Sequence, residues 1–211
     1  MGKQKEIRVV IVRHGEARGE ARSGELGRPL TALGRKQAER VAKRLSKEQF
    51  DHIYTSDLSR AYHTALAIRK FHKTTPLTVT KDIREVTNFH HQPGRTPRRK
   101  EVQAVIHLER EAVERFLRRL LRHRSSEQVL LVIHGNLIQF LLAKLAGINA
   151  KRSIPVGASN TSVTILTLQG GSLKLVNLLN CVKHLLPQQI TGEPAFGLCK
   201  KGEGCRPERN P

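Results

Sequence analysis

Two histidines stand at the ends of apolar runs, in Val9-Val10-Ile11-Val12-Arg13-His14-Gly15-Glu16 and in Val129-Leu130-Leu131-Val132-Ile133-His134-Gly135. An imidazole titrates close to neutral pH, so its unprotonated nitrogen is available as a base or as a nucleophile. The arginine that precedes the first histidine is a ligand for an oxyanion. A phosphoryl group in transfer spreads charge over its equatorial oxygens and needs several fixed cations or donors, which Arg13, Arg60 and His134 supply together. His14 then acts either as a base or as a nucleophile that accepts the phosphoryl group covalently. A carboxylic acid has to protonate the departing oxygen. Glu85 is the candidate, with a pKa raised by burial or by bound phosphate, and Glu16, nearer to His14 in the chain, is its rival.

These residues need elements to hold them. Continuous runs of β-branched residues and leucine suit strands buried on both faces, the habit of parallel sheets covered by helices. Ligands of open α/β sheets bind beyond the carboxyl ends of such strands, so two histidines 120 residues apart in the chain meet if their strands are neighbours. A strand over Ile7 to Val12 is followed by a surface loop, Ala17 to Pro29, and by a helix capped at Thr31 that buries Ala38, Val41, Ala42 and Leu45. A strand over His52 to Thr55 leads into a helix with Leu58, Ala61, Ala65 and Ile68 inward, which puts Arg60 in the first turns, where free backbone N–H groups favour phosphate. Leu77 to Val79 forms a further strand, and Asp82-Ile83-Arg84-Glu85 precedes a loop. The pattern then predicts a long helix over Glu101 to Arg124, a buried helix over Leu137 to Leu145, and a closing hairpin of Ser162 to Leu168 and Leu173 to Leu178 about Gly170-Gly171. The alternating order implies one α/β three-layer sandwich with a mostly parallel central sheet flanked by helices. Residues 1–186 form the domain, and 187–211, rich in Pro, Gly, Lys and Glu, read as a flexible basic tail.

Composition narrows the partners. Lys and Arg number 38 against 18 Asp and Glu, a net charge of +20, which favours anionic partners. Aromatic residues make up only 4% and no recognition motif is present, so nucleic acid is not the expected main partner. Arg18, Arg22, Arg28, Arg84, Arg95 and Arg98 point to a polyanionic or acidic substrate. The adjacent His90 and His91 point apart on a strand and lack a third ligand, so no metal site is expected. Cys181, Cys199 and Cys205 match neither a zinc spacing nor a disulfide framework and are expected to be reduced thiols. No apolar run is long enough to span a membrane and no signal-type core follows the basic N-terminus, so a cytoplasmic protein is expected. Oligomeric state is not encoded in any readable heptad or patch.

Four ordered motifs carry a family resemblance: Arg13-His14-Gly15-Glu16; Pro29-Leu30-Thr31 with Gly34, Gln37 and Ala38; Thr55-Ser56-Asp57-Leu58-Ser59-Arg60-Ala61 with Thr64 and Ala65; and His134-Gly135 with Asn160-Thr161-Ser162. Over roughly residues 7 to 180 the chain resembles the histidine phosphatase superfamily. The resemblance implies His14 as the phosphorylated nucleophile, Arg13, Arg60 and His134 as phosphate ligands, Glu85 as proton donor, and no metal or organic cofactor. Mutase-like members carry a Trp-Asn pair after the first motif, where this chain has Gly19-Glu20 and no tryptophan anywhere. A Gly-x-Trp-Glu-Gly-like stretch usually follows the glutamate, where this chain has Val86-Thr87-Asn88. The compact form is more similar to the branch acting on phosphoproteins, phosphoserine, phosphothreonine or phosphohistidine, with small phosphoesters left open. A phosphomonoester hydrolase is therefore the expected activity. A phosphoglycerate mutase-type transferase and a non-catalytic phosphate-binding module are the alternatives.

Overall fold

The computed structural model describes residues 6–20, 26–87, 100–122, 127–148 and 156–192. Within them, six strands and four helices follow in the order β1 (Glu6–Arg13), α1 (Ala32–Leu45), β2 (His52–Ser56), α2 (Ser59–Arg69), β3 (Leu77–Thr80), α3 (Lys100–Leu120), β4 (Glu127–Ile133), α4 (Gly135–Leu145), β5 (Val163–Gln169) and β6 (Ser172–Cys181). The strands form one sheet in the order β3-β2-β4-β1-β5-β6. The pairs β3-β2, β2-β4 and β4-β1 are parallel, while β5 runs antiparallel to both β1 and β6. This is the mostly parallel sheet that the apolar runs predict.

Alternate residues of the central strands feed two separate cores, as the period of two in a strand requires. Val10 and Val12 of β1 and Leu130 and Val132 of β4 pack with Val41, Ala42 and Leu45 of α1 and Ala61, Ala65 and Ile68 of α2. Val9 and Ile11, with Val129, Leu131 and Ile133, face Val113, Phe116, Leu117 and Leu120 of α3 and Leu137, Ile138 and Leu141 of α4. Helices therefore cover both faces of the sheet in three layers. Each fully buried aliphatic side chain in these layers contributes about 1.5–3 kcal/mol.

The chain leaves β1 toward α1 on one face and leaves β4 toward α4 on the other. These neighbouring strands thus form a topological switch point, where a crevice opens at their carboxyl ends. His14 and His134 lie at its base.

Local signals explain the element ends. The Thr31 side chain accepts the Gly34 N–H at 2.9 Å and caps α1 as expected. Helix α2 starts without a side-chain cap, since Leu58 holds the cap position; the Ser56 hydroxyl accepts the Leu58 N–H just ahead of it. Gly170 and Gly171 both have positive φ, 59° and 86°, and this is what a two-residue turn between β5 and β6 demands. Helix α3 ends at Leu120, short of the expected Arg124, and β6 is longer than the pattern suggests.

The first residues of the segment expected to be a flexible tail carry defined structure. Residues 187–192 include a 3-10 turn at Pro187–Gln189 and a bridge from Gly192 to Ser159. His90, His91, Cys199, Cys205, Arg22, Arg95 and Arg98 lie outside the described residues. Cys181 is a free thiol. No helix among the described residues is long and apolar enough to cross a membrane.

Candidate active site

The β1–β4 ladder runs in unbroken register from Ile7 opposite Glu127 to Arg13 opposite Ile133. One step further, the His14 N–H donates to the Ile133 carbonyl at 2.9 Å. The two histidines therefore leave the sheet together, with ring centroids 5.1 Å apart and planes inclined by 61°. Both rings are buried.

The hydrogen bonds of His14 define its chemistry. Nδ1 lies 2.7 Å from the Gly15 carbonyl, and that contact requires a proton on Nδ1 because the carbonyl can only accept. Nε2 accepts from Arg60 Nε at 3.0 Å, so it carries a lone pair. Burial holds the His14 pKa well below its ordinary value, and the charges of Arg13 and Arg60 lower it further. The ring is neutral, with Nε2 the free base.

His134 is held neutral by the same causes, burial first and then its neighbours His14, Arg60 and Arg13. Neither of its ring nitrogens has a hydrogen-bond partner among the described residues. A buried polar group left in that condition costs about 1–3 kcal/mol, the kind of cost that a binding site carries for its ligand.

Arg60 is the second residue of α2, and its guanidinium is buried against His14 at the amino end of that helix. Arg13 donates from Nη1 to the Ala158 carbonyl. Its side chain crosses the start of α4, where a Cβ on Gly135 would stand 3.3 Å from Arg13 Cζ and Nε. Glycine at 135 keeps that path open. Arg28, exposed on the loop before α1, acts electrostatically on both His14 and Arg60.

Glu85 reaches the same crevice from the segment after β3. Its Oε1 accepts the Leu137 N–H at 3.2 Å, at the amino end of the helix that begins just after His134. Burial raises its pKa, and this outweighs the opposing pull of that N–H and of Arg13 and Arg60. Arg84, one of the basic residues that point to an acidic substrate, makes a two-pronged ion pair with Asp57 at 2.7 and 2.6 Å. That pair pins the backbone next to Glu85. Asn136 adds a bond from Nδ2 to the Val86 carbonyl at 3.2 Å. Glu16 is occupied elsewhere, its Oε1 accepting from the Thr31 hydroxyl at 3.0 Å and its Oε2 lying 3.5 Å from Arg18. Arg13, His14, Arg60, Glu85 and His134 thus converge, and Glu16 faces the loop that α1 follows.

Several supporting residues were visible in the sequence only as motif letters. The Asn160 side chain donates to the His14 carbonyl at 2.9 Å, and the Thr161 N–H donates to the Arg13 carbonyl at 3.1 Å. Thr161 holds φ of 55°, a left-handed conformation that a β-branched residue rarely adopts, which marks the turn as strained in the service of that contact. The Thr64 hydroxyl accepts the Gly15 N–H at 3.0 Å and donates to the Arg60 carbonyl at 2.7 Å, linking the loop after β1 to the start of α2.

Gly15 and Gly34 let the loop after β1 touch the first turn of α1: a Cβ on Gly34 would lie 2.0 Å from the Glu16 carbonyl oxygen. Gly→Ala in a helix ordinarily gains about 1 kcal/mol. Gly34→Ala is expected to do the reverse, destabilising the protein by about 1–3 kcal/mol through overpacking while it displaces the His14 loop; a thermal melt and an activity assay check both.

The sequence profile of the histidine phosphatase superfamily, branch 1, matches residues 9–104 and 88–181. The chain belongs to the histidine phosphatase superfamily. Phosphoglycerate mutase-like protein 4 of Arabidopsis thaliana is 44% identical over 81 residues, 36% of this chain and 35% of that protein. The match with that relative thus spans about a third of its length. The adenosylcobalamin/alpha-ribazole phosphatase of Escherichia coli is 26% identical over 167 residues, 69% of this chain and 82% of that one. The crystal structure of the alpha-ribazole phosphatase from Shigella flexneri superposes with a TM-score of 0.64 at 21% identity, covering 82% of this chain and 96% of that one. This last likeness is one of fold, and it matches the three-layer sandwich of this histidine phosphatase superfamily member.

Proposed function

We propose that the protein is a phosphomonoester hydrolase that works through a covalent phosphohistidine on His14. The observation that carries the reading is the state of His14: its Nδ1 proton is committed to Gly15 and its Nε2 lone pair points at Arg60, among the cationic groups of the crevice. In the first step Nε2 attacks phosphorus and forms the N–P bond. The P–O bond to the leaving group breaks, and Glu85 gives its proton to the departing oxygen. Arg13, Arg60 and His134 bind the equatorial oxygens as charge redistributes. In the second step the Glu85 carboxylate takes a proton from water, whose oxygen attacks phosphorus. The N–P bond breaks, phosphate leaves, and both residues return to their starting states.

The raised pKa of Glu85 suits an acid in the first step, and the lowered pKa of His14 suits a nucleophile. Family membership and a relative whose name is that of a phosphatase agree with hydrolysis. The absence of tryptophan from the chain weighs against the mutase reading, in which the phosphoryl group returns to the substrate. The substrate class is a phosphoprotein or a small phosphorylated metabolite. The surplus of arginine around the crevice favours one with additional negative charge.

The intermediate has a chemical signature. Brief reaction with a radiolabelled phosphomonoester, followed by a denaturing quench, is expected to leave label on the protein that is released by acid and retained in base, as a phosphoramidate requires. Turnover is expected to persist with a chelator present. Label that survives acid, or free phosphate released without any labelled protein, overturns the mechanism.

A further inference from the structure

We infer that the segment Gln189–Gly192 is a positioning brace for the phosphate pocket, holding the Arg13 guanidinium and the backbone of His14 in their working places. The inference rests on the phosphatase reading above, and it assigns function to residues that composition places in a tail.

Three sets of contacts carry it. Gln37, fully buried in α1, donates from Nε2 to the Gln189 carbonyl at 2.7 Å and to the Thr191 hydroxyl at 2.9 Å. With its other end, Oε1, it accepts the Glu16 N–H at 2.8 Å. Asn160 donates its backbone N–H to the Thr191 carbonyl at 2.7 Å and accepts the Thr191 hydroxyl on Oδ1 at 3.1 Å, while its Nδ2 holds the His14 carbonyl at 2.9 Å. Thr191 is thus the common partner of the two side chains that grip the nucleophile loop.

The third contact is with the phosphate ligand itself. A Cβ built on Gly192, whose φ is +93°, would lie 2.6 Å from Arg13 Nη1, 3.1 Å from the Asn160 nitrogen and 3.2 Å from the Ala158 oxygen. The Arg13 guanidinium therefore rests against bare backbone at 192, on the same side as the Ala158 carbonyl to which it donates. Of these neighbours the end of an arginine moves most easily. A methyl group at 192 would push that end away from its seat.

The brace is tested in the full-length protein. Gly192→Ala is expected to raise KM for an aryl phosphate and Kd for inorganic phosphate, measured by calorimetry, by about tenfold, with a smaller change in kcat, because a misplaced ligand of about 1 Å weakens binding and alignment. Thr191→Val keeps the shape and removes the hydroxyl; it is expected to lower kcat/KM by about tenfold, and Thr191→Ser to restore it. Gln188→Ala, exposed immediately before the brace, serves as the control and is expected to match the wild type. Melting temperatures are recorded for every variant. Wild-type kinetics and phosphate binding in Gly192→Ala and Thr191→Val, or changes that vanish when assays are run well below each melting temperature, overturn the brace. A wild-type protein that neither hydrolyses nor binds phosphate overturns the phosphatase reading and the brace with it, so the two failures are told apart by which protein shows them.

Discussion

His14→Ala is expected to lower turnover of any phosphomonoester by about 10⁴-fold or more while leaving the protein folded, because the proposed mechanism forms the bond to phosphorus on this side chain. No other group in the crevice can take over. His134 lies 5.1 Å away between ring centroids, but it is wholly buried, and the proposed mechanism uses it to bind a phosphate oxygen. The structural effect is smaller. The strand under His14 is held by the β4 ladder and by Val10 and Val12 in the core, none of which needs the imidazole. Loss of its contacts with Arg60 and the Gly15 carbonyl is worth about 1–3 kcal/mol, so circular dichroism and cooperative melting are expected to survive. Steady-state kinetics with a phosphate-release readout check the first part. Activity at the wild-type level would remove His14 from the reaction.

The second large effect concerns Glu85→Gln, expected to lower kcat by about 10²–10⁴-fold for an alkyl phosphate. An alkoxide leaves poorly and needs its proton early; a phenolate with electron-withdrawing groups leaves unaided, so the loss with an activated aryl phosphate is expected to be far smaller. The amide oxygen of the variant can still accept the Leu137 N–H, so the geometry at the start of α4 is preserved. The sign of the pH dependence follows from the shifts. Glu85 must be protonated to act as an acid, and burial raises its pKa, so the rate is expected to fall as pH rises through that raised value. His14 must be unprotonated, and burial lowers its pKa, so the rate falls at the acid end only below the ordinary histidine range. In Glu85→Gln the alkaline limb due to this residue disappears. Equal losses for both substrates, with the alkaline limb intact, would assign the proton to another group.

What the sequence reveals of this protein depends on the range of the interaction. The two strand-histidine units were legible because strand and site residue are adjacent in the chain, and a sheet of this type brings such ends together. Thr31 as a cap was legible for the same reason. The role of Arg84 was not legible, because its partner, Asp57, lies 27 residues away, and only the fold reveals a carboxylate at 2.7 Å. Asn160 and Thr161 could be matched as letters of a motif, but their hold on the backbone of His14 and Arg13 crosses nearly 150 residues of chain. The docking of Gln189 to Gly192 was not legible in composition, because this stretch lacks apolar periodicity and docks through backbone carbonyls, a hydroxyl and a glycine.

The unbroken ladder between β1 and β4 has one more consequence. Since the register alone fixes where His14 and His134 emerge, the path the chain takes between them is free to change length without altering the distance between the rings. Insertions or deletions in the connection that follows β3, on the carboxyl side of the sheet, would reshape the walls of the crevice and leave its floor untouched. Such an arrangement separates inheritance of the reaction from inheritance of the substrate. On the proposed function, editing those loops would change which phosphoester fits while the pair of histidines on the floor stayed in place.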